Sequence, residues 1–114
     1  MLELFDTVCI KNQGCTEIDL FNFQEALKHF YYNNTRINKA YFYLLFESNG
    51  GLFMNGKCEF QMFSTKEIPI VYKEYGFDKY MALTLPISLD GCGKFAIFDH
   101  RIPYNNKIYC VSSD

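Results

Sequence analysis

Cysteine, histidine and aspartate, the residue types of a cysteine hydrolase, fall close together late in the chain as Cys92, Asp99 and His100. A cysteine nucleophile needs a base within hydrogen-bond reach and a third group that orients the base. Asp99 and His100 are neighbours, so in a strand their side chains point to opposite faces of the sheet. This spacing does not favour a hydrolase, and we expect exposed polar residues at a strand end instead.

Two further patterns contain residue types that bind phosphate or metal. The segment Asp90-Gly91-Cys92-Gly93-Lys94 has the glycines and lysine of a phosphate-binding loop, but such a loop opens a helix, and here Phe95 begins a strand pattern. His29 follows Glu25 by four residues on a predicted helix and has no other metal-ligating neighbour at a suitable spacing. The sequence therefore predicts a turn and a solvated helix histidine, with neither metal nor cofactor.

The five cysteines predict neither a disulfide framework nor a zinc site. Their number is odd, and no two are spaced as C-x-x-C. Reduced thiols behave as small hydrophobic side chains. We therefore expect most of them to be buried, in a chain that folds without metal or disulfide. The cysteines are Cys9, Cys15, Cys58, Cys92 and Cys110.

Composition and charge narrow the class of partner. The 114 residues carry a net charge of −2, and the 11 lysines and arginines are not gathered in the basic run typical of nucleic-acid binding. No stretch approaches the ~18 apolar residues of a membrane span, and the first residues carry acids where a signal peptide carries bases. We expect one cytoplasmic domain over 1–114, without direct nucleic-acid or membrane partners. The excess of residues with AT-rich codons is consistent with a bacterium that has an AT-rich genome, which the base composition of the gene would test.

The first half of the chain predicts two helices. Apolar residues recur at helical spacing over 16–32, and either Thr16 with Asp19 or Asn22 with Glu25 supplies a capping box. A second helix is predicted over 37–48. The turn residues Asn49, Gly50 and Gly51 then stop it, with a positive φ expected at Gly50 or Gly51.

The second half predicts strands. Residues 58–63 mostly alternate, and Asn55-Gly56 ahead of them indicates a type I′ hairpin with 52–54. Further strands are predicted over 80–87, 95–98 and 107–111, with turns at 90–93, which includes Gly91 and Gly93, and at 103–106. Residues 65–75 are ambiguous, because Ser64 or Thr65 suits a helix cap while Pro69 limits the helix. The prediction is an α+β fold, with two N-terminal helices on a twisted, mostly antiparallel sheet of five or six strands.

Three of these stretches together resemble the SUKH superfamily, the group of the fungal Smi/Knr regulators and many bacterial immunity proteins. The helix that ends in Asn49-Gly50-Gly51 is similar to the family's helix end. Leu85-Pro86-Ile87, the Asp90–Gly93 turn and the following strand are similar to its central hairpin. The segment Asn106–Val111 is similar to its closing strand.

The resemblance implies a non-enzymatic protein-binding domain. Stand-alone bacterial members look like immunity proteins, which neutralise a cognate toxin, often a nuclease, by steric occlusion. A mildly acidic chain is suited to a basic toxin of that kind. Two alternatives stay open, an intracellular regulatory or scaffold protein of the Smi/Knr type and a small enzyme without a recognisable site.

The expected partner surface lies on the loops of the C-terminal half, because loops tolerate exposed polar groups and often carry recognition. If the ambiguous segment folds over them, it extends that surface. The loop residues are Asp90, Lys94, Asp99, His100, Arg101 and Tyr104, and the extension comprises Glu59, Glu67, Tyr72 and Glu74.

Overall fold

The computed structural model describes residues 7–29, 37, 39–81, 83–91, 93–101 and 107–112. They form an α+β fold with four helices and a six-stranded antiparallel sheet among the described residues. In chain order the elements are β1 (Thr7–Lys11), α1 (Glu17–Lys28), α2 (Lys39–Glu47), β2 (Gly51–Asn55), β3 (Cys58–Met62), α3 (Glu67–Glu74), α4 (Phe77–Tyr80), β4 (Thr84–Asp90), β5 (Lys94–Asp99) and β6 (Ile108–Ser112).

The sheet follows the chain, with spatial order β1-β2-β3-β4-β5-β6 and every neighbouring pair antiparallel. The sequence did not predict β1, so the expectation that the chain begins with two helices is wrong. This strand forms because it pairs with β2, which lies about forty residues later in the chain. Ile10, for example, lies opposite Leu52. A β-bulge between Val8 and Ile10 interrupts that pairing.

The β2–β3 hairpin is confirmed, but its turn differs from the prediction. Asn55 ends β2 opposite Cys58, which leaves Gly56 and Lys57 as the two-residue loop. Gly56 has a φ of +62°, and Lys57 is not among the residues with positive φ. That is the pattern of a type II′ turn, which needs glycine only at its first central position, and not of type I′.

Helix α1 begins at the earlier of the two predicted caps. The Thr16 hydroxyl accepts from the Asp19 N–H at 3.1 Å, while the Asp19 carboxylate accepts from the Thr16 N–H at 2.9 Å. This reciprocal pair is the capping box, and the carboxylate also suits the positive end of the helix dipole. The alternative start at Asn22 is wrong. The predicted extent is also wrong at the other end, since α1 ends at Lys28 with His29 as its C-cap, and residues 30–32 lie outside the described residues.

The ambiguous segment is helical. Ser64 supplies a second capping box, since its hydroxyl accepts from the Glu67 N–H at 3.2 Å and its N–H donates to the Glu67 carboxylate at 3.0 Å. Pro69 is the third residue of α3 and so lies within its first turn, where proline is tolerated. Gly76, at φ +71°, reverses the chain into α4. The strand predicted from Tyr80 is therefore wrong at its start, since Tyr80 ends α4.

The core reaches both faces of the sheet at β5. Phe95 and Phe98 are three residues apart in a regularly paired strand, so their side chains lie on opposite faces. The Tyr41 ring of α2 packs edge-on against Phe98 with centroids 5.6 Å apart, and the Phe77 ring of α4 packs edge-on against Phe95 at 5.3 Å. Helical segments therefore cover β5 from both sides.

At β2 and β3 the described residues cover only one face of the sheet. Phe53 and Met62 are buried, whereas Glu59 and Gln61, which alternate with Met62 along β3, are exposed. The exposed side chains share their face with Leu52, which pairs with Gln61. This face of β1, β2 and β3 is called the open face below.

Candidate partner-binding surface

The junction that follows α2 ties three parts of the chain together. Gly50 and Gly51 have φ values of +86° and +124°, so the positive φ predicted at this helix end is confirmed. The Asn49 side chain turns toward the start of α3, where its carbonyl oxygen accepts from the Thr65 N–H at 2.8 Å and its amide donates to the Thr65 hydroxyl at 3.1 Å. Asn49 thus acts as a structural clamp, in keeping with the turn role predicted for it.

Ser48 and Asn12 join the end of β1 to the same junction. The Ser48 hydroxyl donates to the Gly50 carbonyl at 2.6 Å and accepts from the Asn12 N–H at 3.1 Å. The Asn12 amide donates to the Asn49 carbonyl at 3.0 Å. Since Ser48 is 2% exposed, these bonds also satisfy a buried hydroxyl. The junction therefore fixes where β1 and α3 lie relative to β2.

Between these fixed elements the open face forms a groove of about 370 Å³. Its lining includes Ile10, Leu52, Glu59, Gln61 and Glu67. We call it the acidic groove, because it has two carboxylates and no lysine or arginine among its described lining residues. It combines an apolar floor with negative charge at its rim.

The two carboxylates of the groove were both predicted as surface residues, and the structure brings them to one site. Glu59 is exposed on β3, and Glu67 is exposed at the first position of α3. Ile10, Leu52 and Gln61 were missed. The alternating pattern of 58–63 already indicated which side of β3 faces solvent, but Ile10 belongs to a strand that the sequence did not predict.

The remaining predicted loop residues do not form one patch. Asp90 and Lys94 lie at one end of the β4–β5 hairpin, where the Asp90 carboxylate accepts from the Lys94 N–H at 2.8 Å. Asp99 and Arg101 lie at the other end of β5. Asp99 is five positions after Lys94 along β5, a distance of about 17 Å. Asp90 pairs with Phe60, so its side chain shares the face of Phe60 and not the open face of Glu59 and Gln61.

Two predicted surface residues are buried. His100 is 2% exposed, and its ring stacks on Phe98 with centroids 5.8 Å apart. Tyr72 is 0% exposed and stacks on Phe77. Aromatic packing therefore removes both from any binding surface, and the expectation that they are accessible is wrong. Glu74 is exposed at the end of α3. Tyr104 lies outside the described residues.

The glycines of the β4–β5 turn lie where they were predicted. Gly91 is exposed in the turn, and Gly93 has a φ of +82°. A Cβ at Gly91 would have nothing within 4 Å. The turn therefore needs the conformational freedom of glycine at Gly93 rather than at Gly91.

Asp99 is engaged by Arg101 in a two-point ion pair. Arg101 Nε donates to Asp99 Oδ1 at 2.9 Å, and Nη2 donates to Oδ2 at 2.8 Å. These bonds lower the pKa of the Asp99 carboxyl. The carboxylate is thus held by the guanidinium, while the His100 ring packs on Phe98. Cys92, the nucleophile of the hydrolase alternative, lies outside the described residues. Cys15 is buried, but Cys9 and Cys110 are exposed, so the expectation that most cysteines are buried is wrong for these three.

A second cavity, of about 490 Å³, lies beside the turn between α3 and α4. It is lined by rings that include the exposed Tyr75 and Tyr80 and the buried Phe95. Tyr75 packs edge-on against Phe95 at 4.9 Å. The cavity's described lining has no titratable group other than tyrosine.

Comparisons with known proteins add no relative from which a function can be transferred. No protein-family model matches this chain, and no curated protein matches it. Among the residues the structure describes, no helix has the length and apolar character needed to cross a membrane. The same residues contain no group of three or more His, Cys, Asp or Glu side chains placed to hold a metal ion.

Proposed function

We propose that this chain is an immunity protein of the SUKH type, which binds a cognate bacterial toxin and neutralises it by steric occlusion. The observation that carries the proposal is the acidic groove on the open face. It is a preformed, partly apolar surface with two exposed carboxylates, held in place by the junction at Asn49. Protein interfaces combine an apolar centre with a polar rim in this way.

The family resemblance supports the proposal through its first motif. Asn49-Gly50-Gly51 was identified from residue types alone, and its glycines have the left-handed backbone that such a helix end requires. Proteins with many different functions have helices packed on an antiparallel sheet, so the fold alone does not identify an activity. The resemblance supplies the class of partner, and the groove supplies the surface.

A toxin bound at the groove must also contact the protein surface around the groove. A stable interface buries about 800 Å² on each partner, which is more than one groove offers. Leu89 of β4 pairs with Gln61 and so continues the open face beside the groove, whereas Asp90 pairs with Phe60 on the other face. The Asp99 end lies about 17 Å away along the strand and stays outside the contact. A negative surface of this kind speeds encounter with a basic toxin domain.

The experiment is to co-express this chain with the toxin domain encoded by a neighbouring gene. We expect cells to survive only when both proteins are present, and the two purified proteins to elute together on size exclusion. A reduced association rate at high salt supports the electrostatic part of the proposal. Continued toxicity, with no complex in vitro, contradicts the proposed function.

A further inference from the structure

We propose that the acidic groove receives a lysine or arginine side chain of the partner, flanked by an apolar residue. The inference rests on the proposed function and adds the chemistry by which the partner is recognised. It follows from three properties of the groove, which are its apolar floor, its unbalanced charge and the fixed position of one carboxylate.

The floor suits the aliphatic stem of a long basic side chain. Ile10 is 57% exposed, and its strand neighbour Leu52 is partly buried beside it. Lysine and arginine lay their methylene groups along apolar surface and keep the charged head in a polar environment. The exposed part of Ile10 also offers contact to an apolar residue next to the basic one.

The rim has negative charge that the chain itself does not balance. Neither Glu59 nor Glu67 forms an ion pair with any residue that the structure describes. Lys11 and Lys66 are close to groove residues in sequence but do not line the groove. Lys11 follows Ile10 in β1, so alternation directs it to the opposite face. A basic side chain of a partner would therefore reach two carboxylates, and it would not have to displace a lysine or arginine from the described residues that line the groove.

Glu67 is already oriented for such a contact. Its Oε1 accepts from the Ser64 N–H at 3.0 Å, and Ser64 Oγ in turn accepts from the Glu67 N–H. The capping box holds the carboxylate close to the start of α3 and leaves Oε2 for a donor. A side chain fixed before binding loses less conformational entropy when the partner arrives. Arginine, with its planar fork of donors, suits two neighbouring carboxylates better than lysine does.

The test uses a fluorescein-labelled peptide, Gly-Ser-Leu-Arg-Leu-Arg-Leu-Ser-Gly, and fluorescence anisotropy in low-salt buffer. A second peptide has citrulline at both arginine positions, which keeps the shape and removes the charge. We expect the arginine peptide to bind the wild-type protein at least about tenfold more tightly than the citrulline peptide. The variant Glu59→Gln/Glu67→Gln should lose that preference. Glutamine at Glu67 retains the capping box, so the variant is expected to fold.

The control variant is Glu47→Gln/Glu74→Gln, which removes the same charge from two exposed helix positions outside the groove. It should bind the arginine peptide as the wild type does, which separates a local contact from the effect of net charge. The inference is overturned if the arginine peptide does not bind, if citrulline binds equally well, or if both double variants behave alike. Toxin protection is measured separately. Full protection by the Glu59/Glu67 variant removes the groove inference and leaves the proposed function intact, whereas failure of the wild type to protect removes the function.

Discussion

Replacing Gly51 with alanine tests the junction on which the proposed site depends. Gly51 has a φ of +124°, which side chains other than glycine rarely adopt. A Cβ at this position would overlap the backbone carbonyl oxygen of Ile10 and lie 3.3 Å from the Ser48 hydroxyl. A backbone atom of a paired strand has little room to move. The substitution therefore strains Gly51 and pushes β1 away from β2.

The expected loss of stability combines these two effects. A residue held in a sparsely populated backbone region costs about 1–3 kcal/mol. Displacing β1 weakens its pairing with β2 and the hydrogen bonds that Asn12 makes to the junction, each of which contributes about 1 kcal/mol. We expect Gly51→Ala to lower the free energy of unfolding by at least about 3 kcal/mol. For a domain of this size that corresponds to a fall in Tm of about 12 °C.

Two other glycines provide matched controls. Gly56 has a φ of +62°, but a Cβ added there would have nothing within 4 Å, so Gly56→Ala adds strain without overlap and should cost about 1–2 kcal/mol. Gly91 has open space and is not among the residues with positive φ, so Gly91→Ala should be nearly neutral. Urea unfolding followed by far-UV circular dichroism suits a chain that has no tryptophan. If Gly51→Ala costs no more than Gly56→Ala, then β1 does not lie against Gly51 and the geometry of the groove is wrong.

Three further predictions concern stability and thiol chemistry. Asn49→Ala leaves the N–H of a buried threonine without its acceptor and should cost about 1–3 kcal/mol in urea unfolding, whereas Asn49→Asp keeps an acceptor and should cost less. The lowered pKa of Asp99 means that its ion pair stabilises the fold above about pH 4 and is lost as the pH falls through the folded-state pKa, so the stability difference between wild type and Asp99→Asn should shrink below pH 4. If the difference in unfolding free energy between the wild type and Asp99→Asn stays the same down to pH 2.5, this prediction is wrong. Burial raises the pKa of Cys15, so iodoacetamide should label it at least about tenfold more slowly than the exposed Cys9 in the native protein and equally in urea, as measured by mass spectrometry.

Much of the local structure could be predicted because its causes lie within a few residues of one another. The capping box at Thr16, the helix end at Gly50-Gly51 and the hairpin at Gly56 each depend on side chains or backbone preferences that act over at most four positions. The alternation along β3 likewise shows which side chains face solvent. These signals are sufficient for the α+β class and for most of the strands.

The candidate site was predicted only in part. Glu59 and Glu67 were identified as surface residues, but nothing local says that they share a groove, because a strand and a helix start bring them together. His100 and Tyr72 are polar enough to suit a surface. They are buried because His100 stacks on the ring of Phe98 and Tyr72 stacks on the ring of Phe77. Such partners become visible only when the sheet is assembled.

By itself, then, the sequence determined that a capping box at Thr16 or Asn22 starts α1 and that Asn49-Gly50-Gly51 stops α2. It also determined which segments alternate, and that the chain contains no basic tract. The tertiary structure decided that Thr7–Lys11 is a strand and that the two ends of β5 belong to different surfaces. It also decided that the open face holds a groove. The physical reason is distance along the chain. Capping and turn energies arise between near neighbours, whereas strand pairing and burial arise between residues that only the completed fold brings into contact.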